Sequence, residues 1–252
     1  MAPSLNLASM RRQIHRHASR AQALAAQRFF RTGRGEYDEG DQFLGLDVPT
    51  IRALSKHFGA LAPGPLRSLL HSRWHEERAL ALANMVEQSV RGAGPVQAAM
   101  RVLYLRELRR VNNWDLVDGS AAPLLRPQSG FRRPALLRRL ARSPQLWRRR
   151  VAIIASFDDI RRGELALTQQ LCRALLNDPH DLMHKACGWM LREVGKRSPA
   201  VLRQFLHRHA VRMPRTMLRY AIERLPERER QRILTGSRRR HLLRAVQVVF
   251  RK

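Results

Sequence analysis

The chain has 252 residues, enough for one large domain or an array of repeats. Its 48 Lys+Arg against 20 Asp+Glu leave a formal net charge of +28, which favours a polyanionic partner and argues against an acidic-surface function. Two cysteines, Cys172 and Cys187, give no disulfide framework, and no apolar run approaches the ~18 residues of a membrane span.

Residues 1–9 read as a loose N-terminus. From about Ser9 to Arg31 the spacing of Ile14, Ala18, Ala21, Leu24 and Ala25 predicts one helix. The stretch 1–35 holds seven arginines and no acid, a composition shared with transit peptides, but the helical spacing favours a structural element. Thr32 to Asp41 is a glycine-rich acidic loop, which either folds back onto a basic face or stands in solvent. Phe43-Leu44-Gly45 re-enters the core, Pro49 opens a short helix through Phe58, and Pro63-Gly64-Pro65 breaks the chain.

After that break helices come in pairs and strand signals are nearly absent. The pairs are 66–72 with 74–88, 96–109 with 113–125, 134–141 with 145–157, 165–177 with 182–196, and 200–209 with 215–224. Comparable points in the second helices are Arg78, Asp118, Arg150, Lys185 and Arg219, separated by 40, 32, 35 and 34 residues. A period of roughly 30 to 45 with two helices per unit predicts an all-α, HEAT-like or armadillo-like solenoid. It is expected as a single curved domain over 10–235, followed by a basic tail over 236–252. Equivalent positions in stacked repeats should line up, so these five residues are expected as a stripe on the concave side. The Arg238-Arg239-Arg240 run of the tail is either a disordered segment or a nonspecific backbone clamp.

The stretch Val111 to Ala121 organises the rest. Asn112 or Asn113 can cap a helix there, and Asp115 sits in its first turn, where the helix dipole favours negative charge. Trp114 and Asp118 are four apart and leave the same face. Trp147 stands three before Arg150, and Trp189 four after Lys185 with Arg192 at the next i+3. Cations bind phosphates, and indoles pack on sugars or bases. Asp118 is the sole carboxylate of the stripe. It either pairs with Arg150 or Lys185 across repeats, or stabilises positive charge growing on a sugar as an N-glycosidic bond breaks, and the two roles are compatible. His180 and His184 are spaced for a metal, but no third ligand is evident, and capping or DNA contact is the simpler role, so no metal is assigned.

The segments Asn113-Trp114-Asp115-Leu116-Val117-Asp118, Leu146 to Ile153, His184 to Glu193 and Met213 to Glu223 resemble signatures of the AlkD-like DNA alkylation repair family. So do Gly35-Glu36-Tyr37 through Phe43-Leu44-Gly45, and His75-Glu76-Glu77-Arg78; together they cover about residues 10 to 225. The resemblance implies a HEAT-like solenoid that wraps duplex DNA and removes N3- or N7-alkylated purines as a monofunctional glycosylase. It implies no cofactor, no obligate protein partner, a monomer, and a cytoplasmic, nucleoid-associated location. Carried over by motif, Asp118 is the catalytic aspartate, Trp114 and Trp189 pack against the backbone at the lesion, and Arg150 contacts a phosphate. Lys185, Arg192, Arg149, Arg219 and Arg78 are further expected DNA contacts. The departures are a longer 32–41 loop, Asn113 where the best-understood branch has an aromatic, and an end that does not match. The alternative is a solenoid of the same fold that binds damaged or branched nucleic acid without removing bases.

Overall fold

A computed structural model of the chain describes residues 6–236, so the expectations for the 237–252 part of the tail and for residues 1–5 lie outside the described residues. The described residues are helical with no strand, joined by turns and one isolated bridge between Gln42 and Trp74. The chain divides into two compact units at Arg126–Pro127.

The first unit holds α1 (Leu7–Arg16), α2 (Arg20–Phe30), α3 (Val48–Phe58), α4 (Pro63–Leu70), α5 (His75–Arg91), α6 (Gly94–Arg106), a 3-10 turn (Leu108–Arg110) and α7 (Trp114–Leu124). The helix expected from Ser9 to Arg31 is two helices. Asn6 caps α1 by accepting from the Ser9 amide at 2.8 Å, so Leu7 to Ser9 are already helical. Ser19 ends the break between them, its side chain accepting from Gln22 N–H and its own amide donating to Leu44 O at 2.9 Å. The apolar spacing across the break was carried mostly by alanine, which favours a helix but has little to bury. Ile14 is fully buried, whereas Ala18, Ala21, Leu24 and Ala25 are exposed.

Pro63-Gly64-Pro65 does not precede a helix but forms its first turn, because proline needs no N–H there and its φ is already helical. Gly45 is required by two constraints together. Its φ is +84°, and a Cβ would lie 2.2 Å from Ser19 O and 2.6 Å from Ala23 N, so the re-entering chain passes directly over the start of α2. α5 packs on α3, α4, α6 and α7 and is the centre of this unit. Leu66, Leu69, Leu70, Leu80, Met85, Tyr104, Leu124 and Leu125 form its fully buried core.

The second unit holds α8 (Arg133–Ala141), α9 (Leu146–Ala155), α10 (Phe157–Arg161), α11 (Ala166–Ala174), α12 (Asp181–Arg197), α13 (Pro199–His209) and α14 (Arg215–Ile222). The helix expected from Gln145 to Phe157 ends early, where the Ser156 hydroxyl donates to Ile153 O at 2.7 Å and competes with the helix ladder. A buried ion pair, Arg133 to Asp159 at 2.7 Å, joins α8 to α10. α12 is the central helix and packs on α9, α11, α13 and α14.

The second helices α5, α7, α9, α12 and α14 begin at residues 75, 114, 146, 181 and 215, at intervals of 39, 32, 35 and 34. The expected helical-repeat fold is therefore present in its spacing. Counted from the helix starts, Asp118, Arg150, Lys185 and Arg219 are each the fifth residue of their helix, while Arg78 is the fourth. Arg78 is one residue out of register with the other four, and its structural counterpart is Arg149.

At Gly188 a Cβ would meet Met217 O at 2.6 Å and Tyr220 Cβ at 2.5 Å, so α12 and α14 touch through backbone. Gly188→Ala is expected to destabilise the protein by about 1–3 kcal/mol through overpacking. Urea unfolding followed by circular dichroism measures it, and an unchanged midpoint would mean that the two helices part without cost.

Candidate functional site

α5 opens with four polar residues in a row, His75-Glu76-Glu77-Arg78, and all four are buried, at 1 to 4% exposure. Each holds a different piece of chain. The Glu76 carboxylate accepts from the amides of Leu44, Gly45 and Leu46 at 2.7 to 3.3 Å. Glu77 accepts from Arg11 at 3.1 Å and pairs with His15 at 3.0 Å, which fastens α1. Arg78 forks onto Asp41 and donates to the carbonyls of Ser72 at 3.0 Å and Arg73 at 3.3 Å. His75 sits between two carboxylates, Nδ1 to Asp41 at 3.0 Å and Nε2 to Asp115 at 2.7 Å.

The acidic loop therefore folds back into the unit. Asp38 is 3% exposed and accepts from the Asn113 side-chain amide, and Asp41 is taken by Arg78 and His75. Burial acts to lower the His75 pKa, but its hydrogen bonds to Asp115 and Asp41 and their charges win and lift it to about 9. Burial, together with the Asp41 charge, raises the Asp38 carboxyl to about 7, against the lowering pull of His75 and Arg78. Asp41 stays lowered, because hydrogen bonds and charge from His75 and Arg78 outweigh its own burial. Asp38, Asp41 and His75 offer ligand atoms within 4.8 Å of one another. Both nitrogens of His75 are spent on carboxylates and Arg78 already occupies Asp41, so the cluster is neutralised by protein cations and is a poor cation site.

This cluster sets the start of α7. Asn113, fully buried, caps the helix by accepting from Trp114 N–H at 2.6 Å while donating to Asp38. Asp115 accepts from the Leu116 amide at 2.7 Å and from His75. Trp114 and Asp118 follow on one face, both half-buried. The Trp114 ring packs on Phe30 at 5.3 Å and Phe29 at 5.7 Å, and its indole N–H donates to the Tyr37 hydroxyl, the one acceptor of that pair able to receive it. Asp118 lies near Tyr104, whose phenol is raised by burial and further by the Asp118 charge. Neither Phe29, Phe30 nor Tyr37 was marked by spacing. The sequence signal is an aromatic doublet at the end of an otherwise alanine-rich helix.

In the second unit Arg149 repeats the arrangement of Arg78. It is the fourth residue of its helix, forks onto a buried carboxylate, Asp178, at 2.6 and 3.2 Å, and donates to the carbonyls five and six residues before it, Pro144 and Ser143. Arg150 is 5% exposed and donates to Leu182 O at 2.7 Å, tying α9 to α12. His180 caps α12 through Nδ1 on the Leu182 amide, and His184 Nε2 bonds Asp178 O at 2.6 Å, so both histidines serve helix ends. Trp189 is half-buried, 6.0 Å from Phe157, with its indole N–H on Glu193 at 3.2 Å. Lys185 pairs with Asp181 at 2.9 Å, Arg192 with Glu223, and Arg219 is exposed.

The expected cations thus fall into two groups. Arg78, Arg149 and Arg150 are held in buried hydrogen bonds that hold the helices together. Lys185, Arg192 and Arg219 lie nearer solvent, where ion pairs are worth only about 0–1 kcal/mol and exchange readily for another anion.

Residues 10–225 match the family of DNA alkylation repair enzymes. The chain belongs to that family. Among solved structures, a protein described as a predicted DNA alkylation repair enzyme from Enterococcus faecalis matches with a TM-score of 0.64 at 15% identity, over 84% of this chain and 98% of its own. At that identity the likeness speaks for the fold. No curated protein matches the chain. Family membership gives the chain a role in the repair of alkylation damage, with DNA as what it acts on. Among the described residues no helix is long and apolar enough to cross a membrane.

The His75 cluster has a pH signature. Stabilisation from His75 is fully present below the unfolded value of 6.5 and is lost as pH rises through about 9; that from Asp38 is lost earlier, as pH rises through about 7. The wild-type unfolding free energy is expected to fall from pH 6.5 to 9.5, with His75 contributing on the order of 3 kcal/mol. His75→Gln should flatten that slope in pH-dependent denaturant melts, and an equal slope in the variant would remove the imidazolium from the account.

Proposed function

We propose that this chain is a DNA glycosylase that hydrolyses the N-glycosidic bond of cationic, N3- or N7-alkylated purines in duplex DNA, with no metal. The observation that carries the reading is the α7 face. An indole and a carboxylate stand one turn apart, half-buried, on a helix start clamped by buried ion pairs, in a chain of net charge +28. A carboxylate facing a polyanion is stabilised by positive charge beside it, from a protein cation at rest and from a sugar cation as a glycosidic bond breaks.

An alkylated purine already carries positive charge. As the bond from C1′ to nitrogen breaks, its electron pair goes to the purine, which leaves neutral, and the deoxyribose becomes an oxocarbenium ion. In this reading the Asp118 carboxylate stabilises that cation and orients water; the water oxygen bonds C1′, and its proton passes to the carboxylate or to solvent. Trp114 packs against the sugar beside it. In the second unit Trp189, Lys185, Arg192 and Arg219 supply backbone contacts. Arg150 holds the start of α12 and reaches a phosphate only by giving up some of its internal bonding; Arg149 and Arg78 act by positioning helices. The protein is expected to work as a monomer.

The test is release of 7-methylguanine from methylated duplex DNA. Asp118→Asn and Asp118→Ala should lower the single-turnover rate by about 100-fold or more, with duplex binding retained. Release that persists unchanged in both variants would remove Asp118 from the chemistry. Salt-sensitive duplex binding by the wild type with no release from any alkylated substrate would favour the binding-only protein instead.

A further inference from the structure

The end of α2 carries two side chains that stand largely outside the core. Phe29 is 65% exposed, with its ring edge-on to Phe30 at 5.0 Å and to Trp114 at 5.7 Å. Its neighbour Phe30 is the one that faces inward, stacked on Phe43 at 5.1 Å and close to His75 at 5.2 Å. A single exposed phenyl group is ordinary on a protein surface. Its setting is less so.

Two residues on, Arg31 ends the helix in left-handed backbone at φ 55°, the one non-glycine residue with positive φ among those described. Glycine holds such a helix end without strain, and arginine does not. The Arg31 guanidinium takes no hydrogen bond or ion pair among the described residues, and its charge reaches Tyr37, the hydrogen-bond partner of Trp114. The aromatic lies against Trp114 and the strained arginine acts on Tyr37, and both side chains are exposed. Arg28 and Arg34 flank this segment in sequence, and the acids that follow are engaged within the fold: Asp38 by Asn113, Asp41 by Arg78 and His75, and Glu36 and Glu39 by the amides of Gly33 and Gly35.

We propose that Phe29 and Arg31 form a nucleotide-contacting site on the first unit, Phe29 stacking on a base or deoxyribose face and Arg31 holding the adjoining phosphate. Aromatic stacking tolerates any base, and a flanking guanidinium fixes the backbone. The site extends the surface of Trp114 beyond α7 and takes intact as well as alkylated duplex. It rests on the DNA-binding part of the reading above and not on base release.

The experiment is fluorescence anisotropy with a labelled, unmodified duplex over a salt series. Phe29→Ala should weaken binding by about ten-fold, within the range of a lost stacking contact, and Phe29→Trp should restore it. Arg31→Gly should reduce the slope of log affinity against log salt by about one while unfolding at no lower temperature than the wild type. Arg31→Asn, which also tolerates this backbone, should behave the same way. Wild-type affinity in both Phe29→Ala and Arg31→Gly overturns the site. So does failure of the wild type to bind duplex at low salt, or a loss confined to anionic phospholipid vesicles, which would make the patch a lipid surface. Duplex binding without base release would defeat the glycosylase reading and leave this site standing.

Discussion

One buried imidazolium joins the parts of the first unit that matter. His75 bonds Asp41 on one side and Asp115 on the other, so the acidic loop and the first turn of α7 meet at a single ring. Its three neighbours in sequence fasten the remaining pieces: the re-entering chain to Glu76, α1 to Glu77, the loop again to Arg78. Such buried charges are not the most stabilising way to fill a core, since desolvation consumes much of their attraction. Their value is geometric. Removing any partner leaves a charge stranded in low dielectric, so few other arrangements of these segments are tolerable. Trp114 and Asp118 take their position from that constraint.

The second unit uses the same device with different residues. Arg149 and Asp178 repeat what Arg78 and Asp41 do, down to the two carbonyls on which each guanidinium rests. The likeness explains why so basic a chain does not present all its arginines to a partner. Several of them satisfy carbonyls and carboxylates at helix starts, and those whose ion pairs lie near solvent are the ones an anion could reach without breaking the fold. Ion pairs of that kind are weak and exchange readily for another anion.

Much of this was legible in the sequence. The interval between second helices was readable because proline and cap residues punctuate it, and the α7 face followed from the four-residue spacing of Trp114 and Asp118. Asn113 as cap and the histidines as helix-end ligands followed from side-chain chemistry. Other features were not legible. The break at Ser19 was hidden because alanine keeps helical spacing without requiring burial. The counterpart of Arg150 was misplaced at Arg78 because adjacent arginines, here Arg149-Arg150, make a one-residue shift invisible to periodicity. The docking of the 32–41 loop depended on His75, Arg78 and Asn113, which lie 34 or more residues away from the acids they bind. No local pattern announces such a pairing. Phe29, exposed at the end of α2, leaves no periodic trace.

The shared imidazolium couples the acidic loop to α7, and a double-mutant cycle between Asp41→Asn and Asp115→Asn probes that coupling most directly. Unfolding free energies of the wild type, both single variants and the double variant are needed, all at pH 7. Since both carboxylates act through His75, the two effects should be coupled by about 1 kcal/mol or more. Effects that add within about 0.5 kcal/mol would mean that the loop and the start of α7 are held independently, and the link from the acidic loop to the Trp114–Asp118 face would be lost.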